Sequence, residues 1–174
     1  MCDTLIRVAG TVNDSITDGP GLRYTLFVQG CPHHCQGCHN PQTHPFEGGT
    51  LRGVGEIAAE ILKNPMLSGL TLSGGEPVCQ AAALLPLCHA VRKGGLEIAL
   101  YSGYTFEELI RSEDPAVREL LSCCDVLVDG PFVLAERSLA LAFRGSRNQR
   151  ILNLPESLRQ GRAVTEESDR WNCR

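Results

Sequence analysis

Three cysteines within eight residues constrain this chain more than any other feature. The segment reads Cys31-Pro32-His33-His34-Cys35-Gln36-Gly37-Cys38-His39 and spaces its thiols as C-x3-C-x2-C. Thiolates are soft ligands that suit iron–sulfur clusters, zinc or Cu(I). Because three thiolates leave one iron of a [4Fe–4S] cube open to a non-protein ligand, the spacing favours a catalytic cluster over an electron-carrying one.

A structural zinc site is the alternative interpretation of the same segment. His33, His34 or His39 would then supply the fourth ligand of a Cys3His knuckle. Structural zinc sites usually pair two short motifs that lie far apart in the chain, and no second cysteine pair follows here at zinc-finger spacing. The spacing therefore favours an iron–sulfur cluster over zinc.

Composition excludes several classes of protein. A chain of 174 residues can bury the core of one domain, and 43% hydrophobic with 21% charged residues is an ordinary globular balance. A net charge of −4 argues against a nucleic-acid platform. The longest apolar stretch, residues 81–91, is shorter than the roughly 18 residues that cross a membrane. Nine cysteines cannot all pair, and without a secretory signal we expect a cytoplasmic protein whose clustered cysteines bind metal.

Charge is distributed unevenly along the chain. Residues 1–136 carry 8 basic and 16 acidic side chains, whereas residues 137–174 carry 8 basic and 4 acidic ones. A solvated C-terminal surface explains this basic excess more simply than a docking surface for an acidic partner.

Predicted strands alternate with predicted helices along most of the chain. The predicted strands cover residues 22–29, 70–73, 96–101, 125–128 and 149–154. The predicted helices cover residues 56–63, 78–93, 105–111 and 116–123. This alternation predicts an α/β fold with a mostly parallel sheet, and the chain is too short for a full eight-unit barrel of about 250 residues. We therefore expect a partial (β/α) barrel, with its site beyond the carboxyl ends of the strands.

A glycine pair follows the second predicted strand at one of those ends. The segment reads Leu72-Ser73-Gly74-Gly75-Glu76-Pro77. Two glycines let a ligand approach the backbone closely, and Glu76 adds an anionic partner for a cationic group. Such a turn is common when taken alone. Together with a three-cysteine loop at an equivalent strand end, it is far more specific.

These two motifs together resemble the radical S-adenosylmethionine superfamily. The segments Thr17-Asp18-Gly19-Pro20-Gly21-Leu22-Arg23 and Cys38-His39-Asn40 are similar to those of the activating enzymes of glycyl-radical enzymes. Residues 101–104, 126–130 and 144–149, together with Gly37, most resemble the branch that serves anaerobic ribonucleotide reductase. The resemblance covers about residues 14–154.

The resemblance implies a fold of the radical S-adenosylmethionine type and a set of site residues. Cys31, Cys35 and Cys38 would ligate a [4Fe–4S] cluster, and S-adenosyl-L-methionine would bind its open iron. The expected cofactor-binding residues are Gly74, Gly75 and Glu76 near the amino group, Gly37 and His39 near the adenine, and also Asn40 and Asp129. Asp129 also fits plain turn formation, as does Asp18 in the glycine-rich turn before the cluster strand.

The family also implies partners and a reaction. Reductive cleavage of the cofactor would give a radical that takes a hydrogen from a glycine on the glycyl-radical subunit of anaerobic ribonucleotide reductase. A flavodoxin- or ferredoxin-like protein would supply the electron. An activase of another glycyl-radical enzyme and a zinc or iron–sulfur binding module without turnover are the alternatives. Residues 1–154 would form the radical S-adenosylmethionine domain, and residues 155–174 a C-terminal extension without an assigned role.

Two departures from the family pattern affect these expectations. Gly37 stands where related activases have an aromatic residue, so the contact with adenine must come from elsewhere. Tyr101-Ser102 stands where pyruvate formate-lyase activases have an Asp-Thr pair, so the resemblance does not extend to a cation site shared with Asp18. Residues 144–149 fit either a contact with cofactor or partner, or a polar loop.

The other cysteines have a structural explanation. We expect Cys79, Cys88, Cys123 and Cys124 to be buried as small hydrophobic residues. Cys2 and Cys173, near the termini, could form an accessory pair or be exposed thiols. His89 is predicted to be packed in the core.

Overall fold

Seven strands form a single sheet in the computed structural model, which describes residues 3–172. The strands are β1 (Leu5–Ser15), β2 (Arg23–Val28), β3 (Thr50–Gly53), β4 (Gly69–Gly74), β5 (Glu97–Tyr101), β6 (Val126–Asp129) and β7 (Arg150–Asn153). Their spatial order is β3-β1-β2-β4-β5-β6-β7. Strands β2, β4, β5 and β6 are parallel, whereas β1, β3 and β7 pair antiparallel at the two sides.

In the described part of the chain, four helices lie between the parallel strands and two more follow β7. They are α1 (Val54–Lys63), α2 (Ala81–Lys93), α3 (Phe106–Leu109), α4 (Pro115–Cys123), α5 (Leu154–Gln160) and α6 (Asp169–Asn172). Short 3-10 turns cover Pro41–Thr43, Pro77–Gln80 and Leu134–Glu136. The predicted α/β class with a parallel centre is confirmed. None of the helices in residues 3–172 combines the length and apolar character that spanning a membrane requires.

Burial explains why the predicted elements form. In α1 the side chains of Val54, Ile57, Ala58 and Ile61 recur at helical spacing and are all buried. All four residues of β6 are buried, as expected for a parallel strand covered on both faces. Helix α2 begins at Ala81 rather than at residue 78, because Pro77–Gln80 forms a separate 3-10 turn.

Two antiparallel strands on one side of the sheet lie outside the sequence prediction. Strand β1 pairs antiparallel with β2, and β3 pairs antiparallel with β1. The pairing of β1 with β2 shifts register between Val8 and Gly10 and again between Val12 and Ser15. These irregularities break the alternation of apolar and polar residues that marks a half-buried strand, so β1 carries no clear pattern in the sequence.

Two predictions about single side chains are wrong. Cys79 is exposed, because it lies in the 3-10 turn before α2 instead of on the buried face of a helix. The side chain of His89 is 56% exposed and faces Glu119 across 3.6 Å. Cys88, Cys123 and Cys124 are buried, as predicted. Cys2 and Cys173 lie outside the described residues.

The last described residues pack onto the sheet. Thr165 pairs with Leu152 in an isolated antiparallel bridge. Trp171 in α6 is 1% exposed and contacts the ring of Phe143 with ring centroids 5.4 Å apart. The division of the chain at residue 154 stays a prediction.

Candidate active site

A cavity of about 580 Å³ opens at the carboxyl ends of the parallel strands. The loops after β2, β4, β5 and β6 all contribute to its lining, and so does the segment before β7. This volume lies within the range of small-molecule sites, and the position is the expected one for a parallel sheet. The loops that sequence analysis singled out therefore meet at one place.

The three motif cysteines all line this cavity. Cys31 is buried, whereas Cys35 and Cys38 are partly exposed, and all three are free thiols. The loop is held by backbone bonds, including those from Cys31 N to His44 O at 3.0 Å and from Cys38 N to Cys35 O at 3.1 Å. Burial raises the pKa of the Cys31 thiol, and the nearby charge of Glu76 raises it further. A bound cation would favour the thiolates that this environment otherwise disfavours.

The donor set fits an iron–sulfur cluster. Within residues 3–172, no three His, Cys, Asp or Glu side chains converge closely enough to hold a single metal ion. The ligands of a [4Fe–4S] cube surround a larger group, because each cysteine binds a different iron. Three free thiols on one tight loop that face a common cavity match that requirement.

The glycine pair after β4 is fitted closely against the end of β2. Gly74 has a φ of +97°, and a Cβ on it would lie 2.6 Å from the Cα of Phe27. A Cβ on Gly75 would lie 2.3 Å from the carbonyl oxygen of Gly30. The amide of Gly75 donates to Val28 O at 2.8 Å. Both glycines line the cavity, so their backbone is accessible to a ligand.

Glu76 occupies a different position from the two glycines. Its carboxylate is fully buried and is not among the groups that line the cavity. Its Oε2 accepts hydrogen bonds from His33 Nε2 at 2.7 Å and from Gly103 N at 2.8 Å. Its Oε1 accepts from Ser102 Oγ at 3.0 Å and from Val78 N at 3.3 Å. The carboxylate therefore joins the loops after β2, β4 and β5.

Asp129 is also directed into the protein. Its carboxylate is buried and forms an ion pair with Arg150 at 2.5 Å. It also accepts a hydrogen bond from the backbone amide of Phe106, the first residue of α3, at 2.7 Å. Its neighbours Val128 and Gly130 line the cavity, whereas Asp129 does not. The expected cofactor contact of Asp129 stays a prediction.

The far wall of the cavity carries aromatic rings. His39 and Asn40 line it, and the ring of His39 contacts Phe132 with centroids 4.9 Å apart. Gly37 does not line the cavity, and a Cβ on it would lie 2.9 Å from Leu134 Cδ1. Sequence analysis did not single out Phe132, although it directly follows the turn that ends β6. An aromatic residue just beyond a strand end at the site face is the signal that could have found it.

Asp18 and Arg144 both face the cavity. The Asp18 carboxylate accepts hydrogen bonds from Ser15 Oγ at 2.5 Å and Thr25 Oγ1 at 3.1 Å. Burial raises the pKa of Tyr101, and the charge of Asp18 raises it further. Arg144 donates from Nη1 to Gln149 O at 3.1 Å, while its buried Nε has no partner within the described residues. The glycine-rich turn and the segment before β7 thus both reach the site.

Comparison with known proteins identifies the family. The model of the "4Fe-4S single cluster domain" family matches residues 17–152. A protein of Vibrio cholerae is 40% identical over 143 residues, which cover 77% of this chain and 89% of that protein. One of Escherichia coli K12 is 33% identical over 147 residues, covering 80% and 93%. One of phage T4 is 35% identical over 143 residues, covering 77% and 85%. All three are named anaerobic ribonucleoside-triphosphate reductase-activating protein.

The chain belongs to this family. This membership confirms the resemblance drawn from the cysteine and glycine motifs. The match to the single-cluster family model shows that the chain is an iron–sulfur protein. The crystal structure of QueE from Escherichia coli has a similar fold, with a TM-score of 0.51 over 72% of this chain and 70% of that one, at 13% identity. That likeness concerns the fold alone.

Proposed function

We propose that this chain is a radical S-adenosylmethionine enzyme that installs a glycyl radical on anaerobic ribonucleoside-triphosphate reductase. The observation that carries the proposal is the joint position of the three free motif cysteines and the Gly74-Gly75 turn around one cavity. A structural metal site would need no such turn beside it. The names of the relatives supply the reductase as the partner.

Cys31, Cys35 and Cys38 hold a [4Fe–4S] cluster in this proposal, and S-adenosyl-L-methionine occupies the rest of the cavity. When bound, the cluster in its reduced state would supply the electron that cleaves the sulfonium of S-adenosyl-L-methionine, and the cleaved cofactor would supply the carbon radical that removes a hydrogen atom from a glycine Cα of the reductase. A flavodoxin- or ferredoxin-like protein delivers the electron.

The chain's own residues bind and orient the cofactor. The backbone of Gly74 and Gly75 accepts the amino group of the methionine part, because no side chain separates it from the ligand. His39 and Phe132 offer the adenine the aromatic surface that Gly37 lacks, and Asn40 lies beside them. Val128 and Phe143 add apolar wall that keeps water from the reacting atoms.

The partner's glycine suits such a site, because a residue without a side chain exposes its Cα. We place the reaction in the cytoplasm, where cysteine thiols stay reduced and remain available to ligate a cluster. We assign residues 1–154 to the radical S-adenosylmethionine domain, and residues 155–174 to a C-terminal extension without an assigned role.

Electron paramagnetic resonance of anaerobically reconstituted, reduced protein tests the proposal. We expect a cluster signal that changes when S-adenosylmethionine is added, and a glycyl radical when the reductase is present. A cluster signal that does not change when the cofactor is added would indicate an electron carrier instead. Zinc uptake without any cluster would establish a binding module instead. A cofactor-dependent signal with no radical on the reductase would point to another glycyl-radical enzyme.

A further inference from the structure

His33 lies between the first two motif cysteines and lines the cavity, and its ring nitrogen Nε2 bonds to a carboxylate. Its side chain is only 17% exposed, and its Nε2 lies 2.7 Å from the Oε2 of Glu76. Because a buried carboxylate accepts hydrogen bonds, Nε2 carries the proton and donates. The cluster loop is therefore tied by a side chain to the residue that directly follows the Gly74-Gly75 turn.

The Glu76 carboxylate is fully used by the protein. An ionised carboxylate offers about four lone-pair positions. Four donors reach this one, namely His33 Nε2, Ser102 Oγ and the backbone amides of Val78 and Gly103, at 2.7 to 3.3 Å. No acceptor position remains for the amino group of a bound cofactor. Glu76 therefore differs from Gly74 and Gly75, which line the cavity and are accessible to a ligand.

The slot that receives the His33 ring depends on a glycine. A Cβ on Gly103 would lie 2.5 Å from His33 Cδ2 and 2.6 Å from Nε2, so any larger residue there would push the ring out. Tyr104 closes the slot from the next position, with its ring edge-on to the imidazole and centroids 4.4 Å apart. The loop after β5 is thus shaped around this one side chain.

We propose that His33 is a positioning residue that acts through Glu76. The bond between them fixes the cysteine loop against the Gly74-Gly75 turn, and so sets the separation between the cluster and the backbone that receives the amino group of S-adenosylmethionine. The inference rests on the proposed function, but it assigns Glu76 to the protein framework and leaves cofactor contact to the turn.

Three variants of His33 test this assignment. His33→Leu removes the donor, and His33→Gln restores an N–H at similar reach. His33→Asn keeps the amide but is too short, so the Asn and Gln pair serves if the leucine protein does not fold. His34→Asn is the matched control, because His34 has a φ of +49°, which asparagine tolerates, and does not line the cavity. Each reduced protein is titrated with S-adenosylmethionine, following the change in the cluster's paramagnetic signal.

We expect His33→Leu and His33→Asn to keep their iron and to raise the Kd for S-adenosylmethionine about tenfold, as loss of a charge-assisted hydrogen bond would. His33→Gln should stay within about threefold of the parent, and His34→Asn should match it. Equal Kd values for His33→Gln and His33→Asn would overturn the proposal. If the parent protein itself shows no cofactor-dependent signal, the proposed function fails instead, whatever the variants do.

A double-mutant cycle separates this role from direct cofactor binding by Glu76. Glu76→Leu removes every acceptor of this side chain, including the one that His33 uses. It should raise the Kd at least as much as His33→Leu, and adding His33→Leu to it should raise the Kd no further, because the bond is already lost. A further rise in the double variant would mean that His33 acts otherwise than through Glu76, and would refute the assignment.

Discussion

The guanidinium carbon of Arg23 lies 5.6 Å from the ring centroid of Trp171, a cation–π contact between β2 and the last described helix. Arg23 is fully buried and pairs with Glu97 at 2.8 Å, and burial lowers its pKa. A Cβ on Gly19 would lie 2.9 Å from the same indole. Trp171 therefore braces both the turn before β2 and the strand that leads into the cysteine loop.

Replacing Trp171 should destabilise the whole fold. We expect Trp171→Ala to lower the free energy of unfolding by about 3–5 kcal/mol, as for other buried aromatic truncations. Trp171→Phe should cost less, because the indole Nε1 has no hydrogen-bond partner within the described residues. Anaerobic urea unfolding measures both. Leu139→Ala is the control, since that side chain is 90% exposed. A loss below about 1 kcal/mol for Trp171→Ala would contradict the bracing role.

Iron content should depend on three cysteines and not on a fourth. Alanine at Cys31, Cys35 or Cys38 should abolish cluster assembly, because each thiolate would bind a different iron. Cys79→Ser should leave the iron per chain unchanged, although Cys31 lies close enough to Cys79 to contribute to the raised pKa of the Cys79 thiol, which burial mainly causes. Iron analysis after anaerobic reconstitution gives the answer. Loss of iron in Cys79→Ser would show that Cys79 is a fourth ligand, and that no iron of the cluster is left open for the cofactor.

A single methyl group at Gly75 should separate cofactor binding from folding. The added Cβ would meet Gly30 O at 2.3 Å, so the turn must move away from the cysteine loop. We expect Gly75→Ala to lower affinity for S-adenosylmethionine by at least about tenfold, read from the same paramagnetic titration. Gly10→Ala is the matched control, because nothing lies within 4 Å of its Cβ position. Parent-like affinity in Gly75→Ala would show that the turn does not touch the cofactor.

Stability should fall above about pH 8.5, where thiols of unfolded chains ionise. A hydrogen bond with Cys88 raises the pKa of Cys124, and burial raises it further; burial also raises the pKa of Cys123. The folded state then holds protons that the unfolded state releases, so rising pH favours unfolding. Anaerobic Tm measurements from pH 7 to pH 10 should show this decline, and Cys124→Ala should make it shallower. An unchanged slope in that variant would contradict the assignment.

The sequence predicts the elements whose signal is local. Strand β5 and helix α4 each fall within one residue of the predicted bounds, because apolar runs there end at glycine, proline or aspartate. The antiparallel strands β1 and β3, on one side of the sheet, are partly exposed, and neither carries a clean alternation. Their pairing arises from tertiary contact, which single-sequence patterns do not record.

The same distinction applies to the site. The cysteine spacing and the glycine pair are visible because their chemistry lies within a few consecutive residues. The hydrogen-bond partners of Glu76 are not visible in the sequence, since His33 and Ser102 lie 43 and 26 residues away from it. Asp129 meets Arg150 across 21 residues. A motif therefore indicates where a carboxylate is, but the fold decides which donors it meets.

The uneven charge along the chain has a consequence for synthesis. The acidic part leaves the ribosome first, and Asp129 finds its ion-pair partner, Arg150, only when the basic part follows. Glu97, which already pairs with Arg23, gains Arg170 as a second partner from the same basic part. A nascent chain stalled before residue 150 would hold an unneutralised carboxylate inside its newest strand. The arginines of the basic part therefore act as counterions for carboxylates that the acidic part places in the sheet.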